Sequence, residues 1–464
     1  MHSSRSVSSD NLMGNPLVVQ RCIATCVSTG RLNLKLHQYW PLRGPAKDDE
    51  TGKAPVATAH QCSDTETYMT TTLPISSPTT ENIIHLPSGA IPLVNTNLRS
   101  KDARAPTALV YCEGNFGLPD GKTANGLIRH SEKYEILSVI DSTQAGRDAG
   151  EVLDGYPNAI PILRHLDDAF AAHLPVPDYF IYGMAPATGM LSDAERLIVL
   201  DALKRGMNVV NGLHEFLNDD PEFIAASRAG NVAIIDIRKP RPKNDLRLFS
   251  GNINNVTCPR IAVLGTDCAI GKRTTASILT RALIARGVNA VMVTTGQTGM
   301  MQGSRYGVAL DAVPSQFCCG ELEATIIDAF ESEDPDIIIV EGQGALSHPA
   351  FCTSAFILRG SVPDGVILQH APKRKHRCDF DQMPMPEPKS EISLIEAFAD
   401  TKVIGLTINH EDMTDGEISD SILYYQEQLG IPVTDALARP VEQLAEMVLS
   451  SFPALQRKLS LSVQ

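Results

Sequence analysis

Short apolar runs alternate with amphipathic stretches over most of this chain. From Thr107 onward, runs of three to five mostly apolar residues predict strands at 108–111, 136–140, 179–182, 208–210 and 232–235. Helical spacing fills the gaps at 123–131, 166–173, 192–205 and 221–229. The alternation resumes with strands at 261–264, 290–295, 336–340, 365–369 and 403–408, and with a helix at 273–286. Strand–helix alternation places successive strands parallel and covers both sheet faces, so the fold class is α/β, with two doubly wound parallel sheets over 81–250 and 251–464. In such folds, ligands sit at the carboxyl ends of the strands.

Residues 1–80 break the pattern. They are rich in Ser, Thr and Pro and end in a polar TTTLPISSPTTEN tract, which predicts a disordered leader and linker. Residues 1–43 carry five basic residues and one acid, as a transit peptide would, yet their apolar pieces form no amphipathic helix. A disordered extension, or an over-long start assignment, in a cytoplasmic protein is the preferred expectation. The net charge of −14 disfavours nucleic acid and anionic membranes as partners. A small-molecule substrate and a homo-oligomer are expected instead. The ten cysteines show no CxxC pair, so the sequence indicates neither a metal site nor a disulfide framework.

The stretch RIAVLGTDCAIGKRTT (260–275) organises the second domain. An apolar strand breaks at Gly265, turns tightly to Gly271 and Lys272, and opens into a helix. Backbone N–H groups and the positive end of a helix dipole then converge on an anion, with Lys272 as a mobile charge. Gly265, Thr266, Asp267, Gly271, Lys272, Arg273, Thr274 and Thr275 are therefore expected to contact a phosphorylated cofactor. Gln297 (in TTGQTGMM) follows the second strand of this domain and Asn409 ends its last; both are assigned to the same ligand, Asn409 because relatives of this class of phosphate loop read a nucleotide base at that place. Glu341, at the end of a buried strand and followed by Gly342, is the candidate general base; His348 is the runner-up.

Strand ends of the first domain carry EGNFGLPDGKT, IDSTQAGR, YGMAP and NGLHEFL. Asn115, Lys122, Asp141, His214 and Glu215 are its substrate candidates. Asp141 suits a ribose hydroxyl or the cap of the next turn; Lys122 suits a substrate carboxylate or an exposed helix start. Gly114, Gly117 and Gly121 do not make a G-x-G-x-x-G fingerprint.

GTDCAIGKRTT resembles the phosphate loops of the branch that holds dethiobiotin synthetase and metal-site maturation GTPases. Together with TTGQTGMM, VEGQGALSHPA, GSVPDGVILQH and NGLHEFLNDDP, it is similar to a bacterial and fungal family long labelled a domain of unknown function. The resemblance runs over about 91–449. It implies a Rossmann-like N-terminal domain, a P-loop NTPase-like (dethiobiotin-synthetase-like) C-terminal domain, and D-glutamate N-acetyltransferase activity with acetyl-CoA. Gln316-Phe317 stands where that family usually has Asp-Phe, which leaves the exact amine open.

The residue after the P-loop lysine is ordinarily Ser or Thr, a Mg²⁺ ligand; here it is Arg273, which cannot coordinate a metal. That favours the phosphates of acetyl-CoA over ATP with Mg²⁺. The alternatives are an ATP-dependent kinase or ligase acting on a small carboxylate, in which Thr274 recovers the metal, and a nucleotide-regulated binding protein.

Overall fold

The computed structural model describes residues 104–456, apart from 173 and 174. The leader assigned to 1–80 lies outside the described residues. In the first domain β1 (Thr107–Tyr111), α1 (Lys122–Arg129), β2 (Glu135–Ile140), α2 (Ala149–Asp154), β3 (Ile162–Leu163) and α3 (Leu166–Ala172) are followed by β4 (Tyr179–Tyr182), α4 (Asp193–Lys204), β5 (Asn208–Asn211), α5 (Pro221–Gly230) and β6 (Ile234–Asp236). The sheet order is β3-β2-β1-β4-β5-β6, with every neighbouring pair parallel. The order reverses between β1 and β4, which opens a crevice there.

The second domain runs β7 (Arg260–Gly265), α6 (Lys272–Ala285), β8 (Ala290–Thr294), α7 (Gln297–Gln302), β9 (Tyr306–Gly307), α8 (Ser315–Glu333), β10 (Ile337–Glu341) and α9 (Ser354–Ser361). It continues through β11 (Gly365–His370), a hairpin of β12 (His376–Arg377) and β13 (Phe380–Pro384), α10 (Pro388–Phe398), β14 (Val403–Ile408), α11 (Asp415–Leu429), β15 (Val433–Asp435) and α12 (Val441–Ser451). Its seven parallel strands lie in the order β15-β14-β11-β7-β10-β8-β9. Strands β7 and β10 are buried throughout, as their continuous apolar sequences require of central strands covered on both faces.

Local chemistry sets several boundaries. Ser192 with Glu195, and Thr414 with Glu417, close reciprocal capping boxes at α4 and α11. Strand β6 begins at Ile234 rather than 232, because Asn231 ends α5 in the left-handed conformation and the Val232 N–H is spent on Ser227 O. Strands β3, β9 and β15 have two or three residues each, too few to show a period of two in the sequence.

Residues 241–259 form a strap on α8. Arg247 donates its backbone and guanidinium N–H groups to Glu321, and the N–H groups of Ser250 and Ile253 go to Glu323. Gly320 admits this approach, since a Cβ there would lie 2.2 Å from Arg247 O. The domain boundary expected at 250/251 thus falls inside the strap. Elsewhere α1 packs on α7: Thr123 and Thr298 hydroxyls meet at 3.1 Å, and Gln302 Nε2 donates to Gly126 O and His130 O at 2.6 and 2.8 Å. Among the described residues, no helix is long and apolar enough to cross a membrane.

Candidate active site

Gly265 ends β7 where a Cβ would meet Ile270 and Lys272 at 2.8 and 2.9 Å, so the loop can only fold back onto its own strand through glycine. Gly271 (φ +101°) then turns the chain into α6, whose N-terminus receives no side-chain cap. A 14-residue helix therefore presents its dipole and open N–H groups to whatever enters the loop. Lys272 is buried and its ammonium donates to Asp267 O inside the loop. Burial holds its pKa below the ordinary lysine value.

The loop is braced from outside by a segment the sequence reasoning passed over. Arg374 donates to Asp267 Oδ2 at 3.3 Å, to Cys268 O at 2.9 Å and to Ala269 O at 3.3 Å, and forms a two-pronged pair with Glu411. Arg377, at the start of the hairpin, donates to Thr266 O and to Ser347 Oγ. The signal was present: Lys373, Arg374, Lys375, His376 and Arg377 are consecutive cationic or titratable residues in an acidic chain. Asp267 is fully buried and also accepts from Cys378 N at 2.7 Å, so it fastens the hairpin to the loop instead of facing a ligand. Thr266 and Thr275 are likewise spent internally, on His370 Nδ1 at 2.9 Å and Gln369 Oε1 at 2.6 Å. Thr274 is half-buried in the first turn of α6.

Arg273 departs from its expected place. Its guanidinium runs out of the loop to Gln302, passing within 3.1 Å of the point a Cβ on Gly126 would occupy. It therefore sits at the domain seam, and Lys272 alone of the pair faces into the loop. Gln297 is also at the seam: it is buried, with Nε2 3.4 Å from Thr123 Oγ1. Asn409 lies at the end of β14 and brackets Glu411, accepting from its N–H at 3.1 Å.

Glu341 ends β10 beside the phosphate loop, 6% exposed, with Oε2 accepting the Thr295 N–H at 3.1 Å. Burial pushes its pKa up to about 7, against the lowering pull of Arg273, the Thr295 and Gly296 N–H groups and Lys272. A carboxyl in that range exchanges a proton readily near neutrality. His348 fits the base role poorly. Its Nδ1 accepts the N–H groups of Ala350 and Phe351 at 3.1 and 2.9 Å, which assigns the ring proton to Nε2. Burial and then the Arg377 charge lower its pKa. Its Nε2 and Asp267 Oδ1 lie 3.7 Å apart, and both lack a hydrogen-bond partner. Asp267, Cys268 and His348 bring their ligand atoms within 4.8 Å of one another. A metal there would need Nε2 stripped of the proton that the two N–H bonds at Nδ1 place on it.

The first domain contributes less than its sequence suggests. Asp141 is fully buried and accepts from Gly114 N, Phe116 N, Thr143 N and Thr143 Oγ1 at 2.6–3.1 Å, so it folds two loops together and exposes no surface to a substrate. Of its two expected roles the cap of the next turn is the one present, through Thr143, and the substrate role is corrected to a structural one. Glu215 is half-buried and holds the Leu191 N–H at 2.8 Å. His214 is exposed, 2.5 Å from Arg238, which bridges to Asp311 of the second domain at 2.5 Å. Burial and then Arg238 lower the His214 pKa. Lys122 is exposed at the start of α1, and its charge lowers the pKa of both His214 and Cys268. Asn115 lines a crevice of about 400 Å³ between β1 and β4, walled by Met184, Pro186 and Met190.

Two family models match the chain: a Rossmann-like domain of unknown function, DUF1611_N, over 142–240, and a P-loop domain of unknown function, DUF1611_C, over 247–445. A protein named D-glutamate N-acetyltransferase from a Pseudoalteromonas species is 31% identical over 57% of this chain and 79% of its own length. One of the same name from Tritonibacter scottomollicae is 29% identical over 55% and 76%. The crystal structure of a DUF1611 family protein from Anabaena variabilis superposes with a TM-score of 0.69 at 30% identity, covering 74% of this chain and 99% of that one.

Proposed function

The chain belongs to the DUF1611 family, and from that premise we propose that it is an N-acetyltransferase, moving an acetyl group from acetyl-CoA to the amine of a small acidic amino acid such as D-glutamate. The names of its relatives support the transfer class. The observation that carries the chemistry is Glu341: a buried carboxyl with its pKa pushed up to about 7, beside an uncapped helix N-terminus and a P-loop lysine.

The donor set fits a phosphorylated cofactor. Lys272, the open first turn of α6 and the Arg374-braced loop are all hydrogen-bond donors or fixtures of donors. Bound acetyl-CoA would supply the acetyl group as a thioester. The chain does the rest. Lys272 leaves Asp267 O to neutralise phosphate charge, while Arg374 keeps the loop carbonyls turned away from it. Lys122, which has no partner among the described residues, holds an acceptor carboxylate over the cleft. Glu341, as carboxylate, takes the proton that the acceptor ammonium must lose before its nitrogen can attack the thioester carbonyl. The C–N bond forms as the C–S bond breaks, and the thiolate leaves. Arg273 keeps Glu341 ionised often enough to serve, which is a different task from the phosphate contact its sequence position implies.

The test is direct. The full-length protein with acetyl-CoA and D-glutamate, without ATP or Mg²⁺, should release free CoA thiol and N-acetylglutamate in equal amounts by mass spectrometry. Strict dependence on ATP, or an acetylated protein trapped during turnover, overturns the assignment in favour of a ligase or a covalent route.

A further inference from the structure

A second pocket, of about 300 Å³, lies where the two domains meet, along the flank of α6; none of residues 265–272 lines it. Three arginines reach it: Arg273, Arg281 and Arg305. Arg305 is neutralised by Glu333, which also accepts from the Tyr306 hydroxyl at 2.8 Å. The other two form no ion pair among the described residues. Arg273 donates to the side-chain carbonyl of Gln302, whose own amide N–H groups are spent on Gly126 O and His130 O. Arg281 lies 3.5 Å from Nδ1 of His130, whose Nε2 is 3.0 Å from Glu132. The imidazole thus stands between Arg281 and the Glu132 carboxylate, and Arg281 makes no direct contact with that carboxylate.

The result is a pocket in which three guanidinium groups face two carboxylates, Glu132 and Glu333, and in which neither arginine of α6 makes an ion pair, one of them locked in orientation by a fully satisfied glutamine. Desolvating a guanidinium against a neutral amide is unfavourable unless something else supplies negative charge. Arg281 and Arg129 add repulsion to the Arg273 charge, and the carboxylate that most supports it, Glu341, forms no ion pair with it. Arg273 and Arg281 are eight residues apart on α6, about two turns or ~12 Å along the axis. Their side chains converge on Gly126 and His130, only four residues apart on α1 and the turn after it. Ser277, midway between them, also lines the pocket. Arginine's planar fork suits carboxylate in a two-pronged contact.

We propose that this pocket binds a small dicarboxylate anion, one carboxylate on each of Arg273 and Arg281, at a site separate from the phosphate loop. The site stands whether or not the chain transfers acetyl groups, because its test reads binding alone. Glutarate is titrated calorimetrically into the full-length protein and into three variants whose fold is checked by thermal melting. Wild type and Lys272→Ala should bind alike. Arg281→Ala, altered at an exposed position, should bind at least ten-fold more weakly, and Arg273→Gln should show no saturable binding. No binding to wild type overturns the proposal. So does loss in Lys272→Ala with retention in Arg281→Ala, which would put the anion in the phosphate loop. Inorganic phosphate displacing glutarate at equal concentration would overturn the carboxylate class.

Discussion

The two sheet edges that meet at the cleft differ in how their buried polar groups are spent. On the Rossmann-like side the carboxylates are consumed locally: Asp141 accepts four hydrogen bonds, Glu113 takes both donors of Ser142, and Asp236 holds Asn211, Leu217 and Asn218. On the P-loop side capacity is left open: α6 has no cap, Glu341 is held by backbone N–H groups yet remains near neutrality in pKa, and Asp267 Oδ1 and His348 Nε2 have no partner. Burial alone marks both edges. Unmet bonding alone does not separate the two, since Tyr134 OH and Arg238 Nε of the first domain also lack partners; what separates them is open capacity beside the phosphate loop, at the α6 N-terminus and Glu341.

The largest effect that would break this contrast is at Glu341. Glu341→Gln should lower kcat by about 10²-fold or more, the size of a general-base contribution, while acetyl-CoA still binds in equilibrium dialysis. Wild-type turnover in that variant would remove the base from the P-loop side altogether. Next comes Lys272→Ala, which deletes a charge-assisted contact of about 1.5–3 kcal/mol and should raise the acetyl-CoA KM by about 10- to 150-fold with less change in the acceptor KM.

Asp141→Ala tests the opposite edge. Leaving Gly114, Phe116 and Thr143 donors buried without an acceptor should lower stability by about 2–4 kcal/mol in chemical denaturation, with KM values nearly unchanged in the folded fraction. A selective rise in KM would return Asp141 to the substrate.

A pH series sharpens the contrast further. The Glu341 pKa is raised from its ordinary 4.5 to about 7, so the folded chain binds more protons than the unfolded one between those values. Its effect on stability is therefore unfavourable as pH rises through that window, on the order of 3 kcal/mol, while kcat/KM rises through the same window. Glu341→Gln should accordingly gain melting temperature relative to wild type at pH 8 and gain none at pH 4.5. The smallest effect is expected for Lys122→Met, an exposed charge worth about 0.5–1 kcal/mol, read as a two- to five-fold rise in the acceptor KM.

Much of this was legible in the sequence. Continuous apolar runs such as 261–264 and 337–340 announce central parallel strands, and the glycines around Lys272 announce the loop. What escaped was set by partners distant in the chain. Arg273 reads as a phosphate contact until Gln302 and Gly126 are seen drawing it to the domain seam. Asp141 reads as a ligand until four donors from two loops are counted. The Arg374 and Arg377 brace depends on a hairpin more than 100 residues from the loop it holds, which no local periodicity encodes.

The strap of residues 241–259 bears on what can be inherited as a unit. Glu321 and Glu323 are buried carboxylates whose donors come from outside the sheet, at Arg247, Ser250 and Ile253. A gene fragment opening at β7 would carry both acids and neither counterpart. Recombination between chains would therefore preserve the P-loop module only when the crossover falls upstream of Arg247, so the transferable piece is the sheet together with the segment that precedes it.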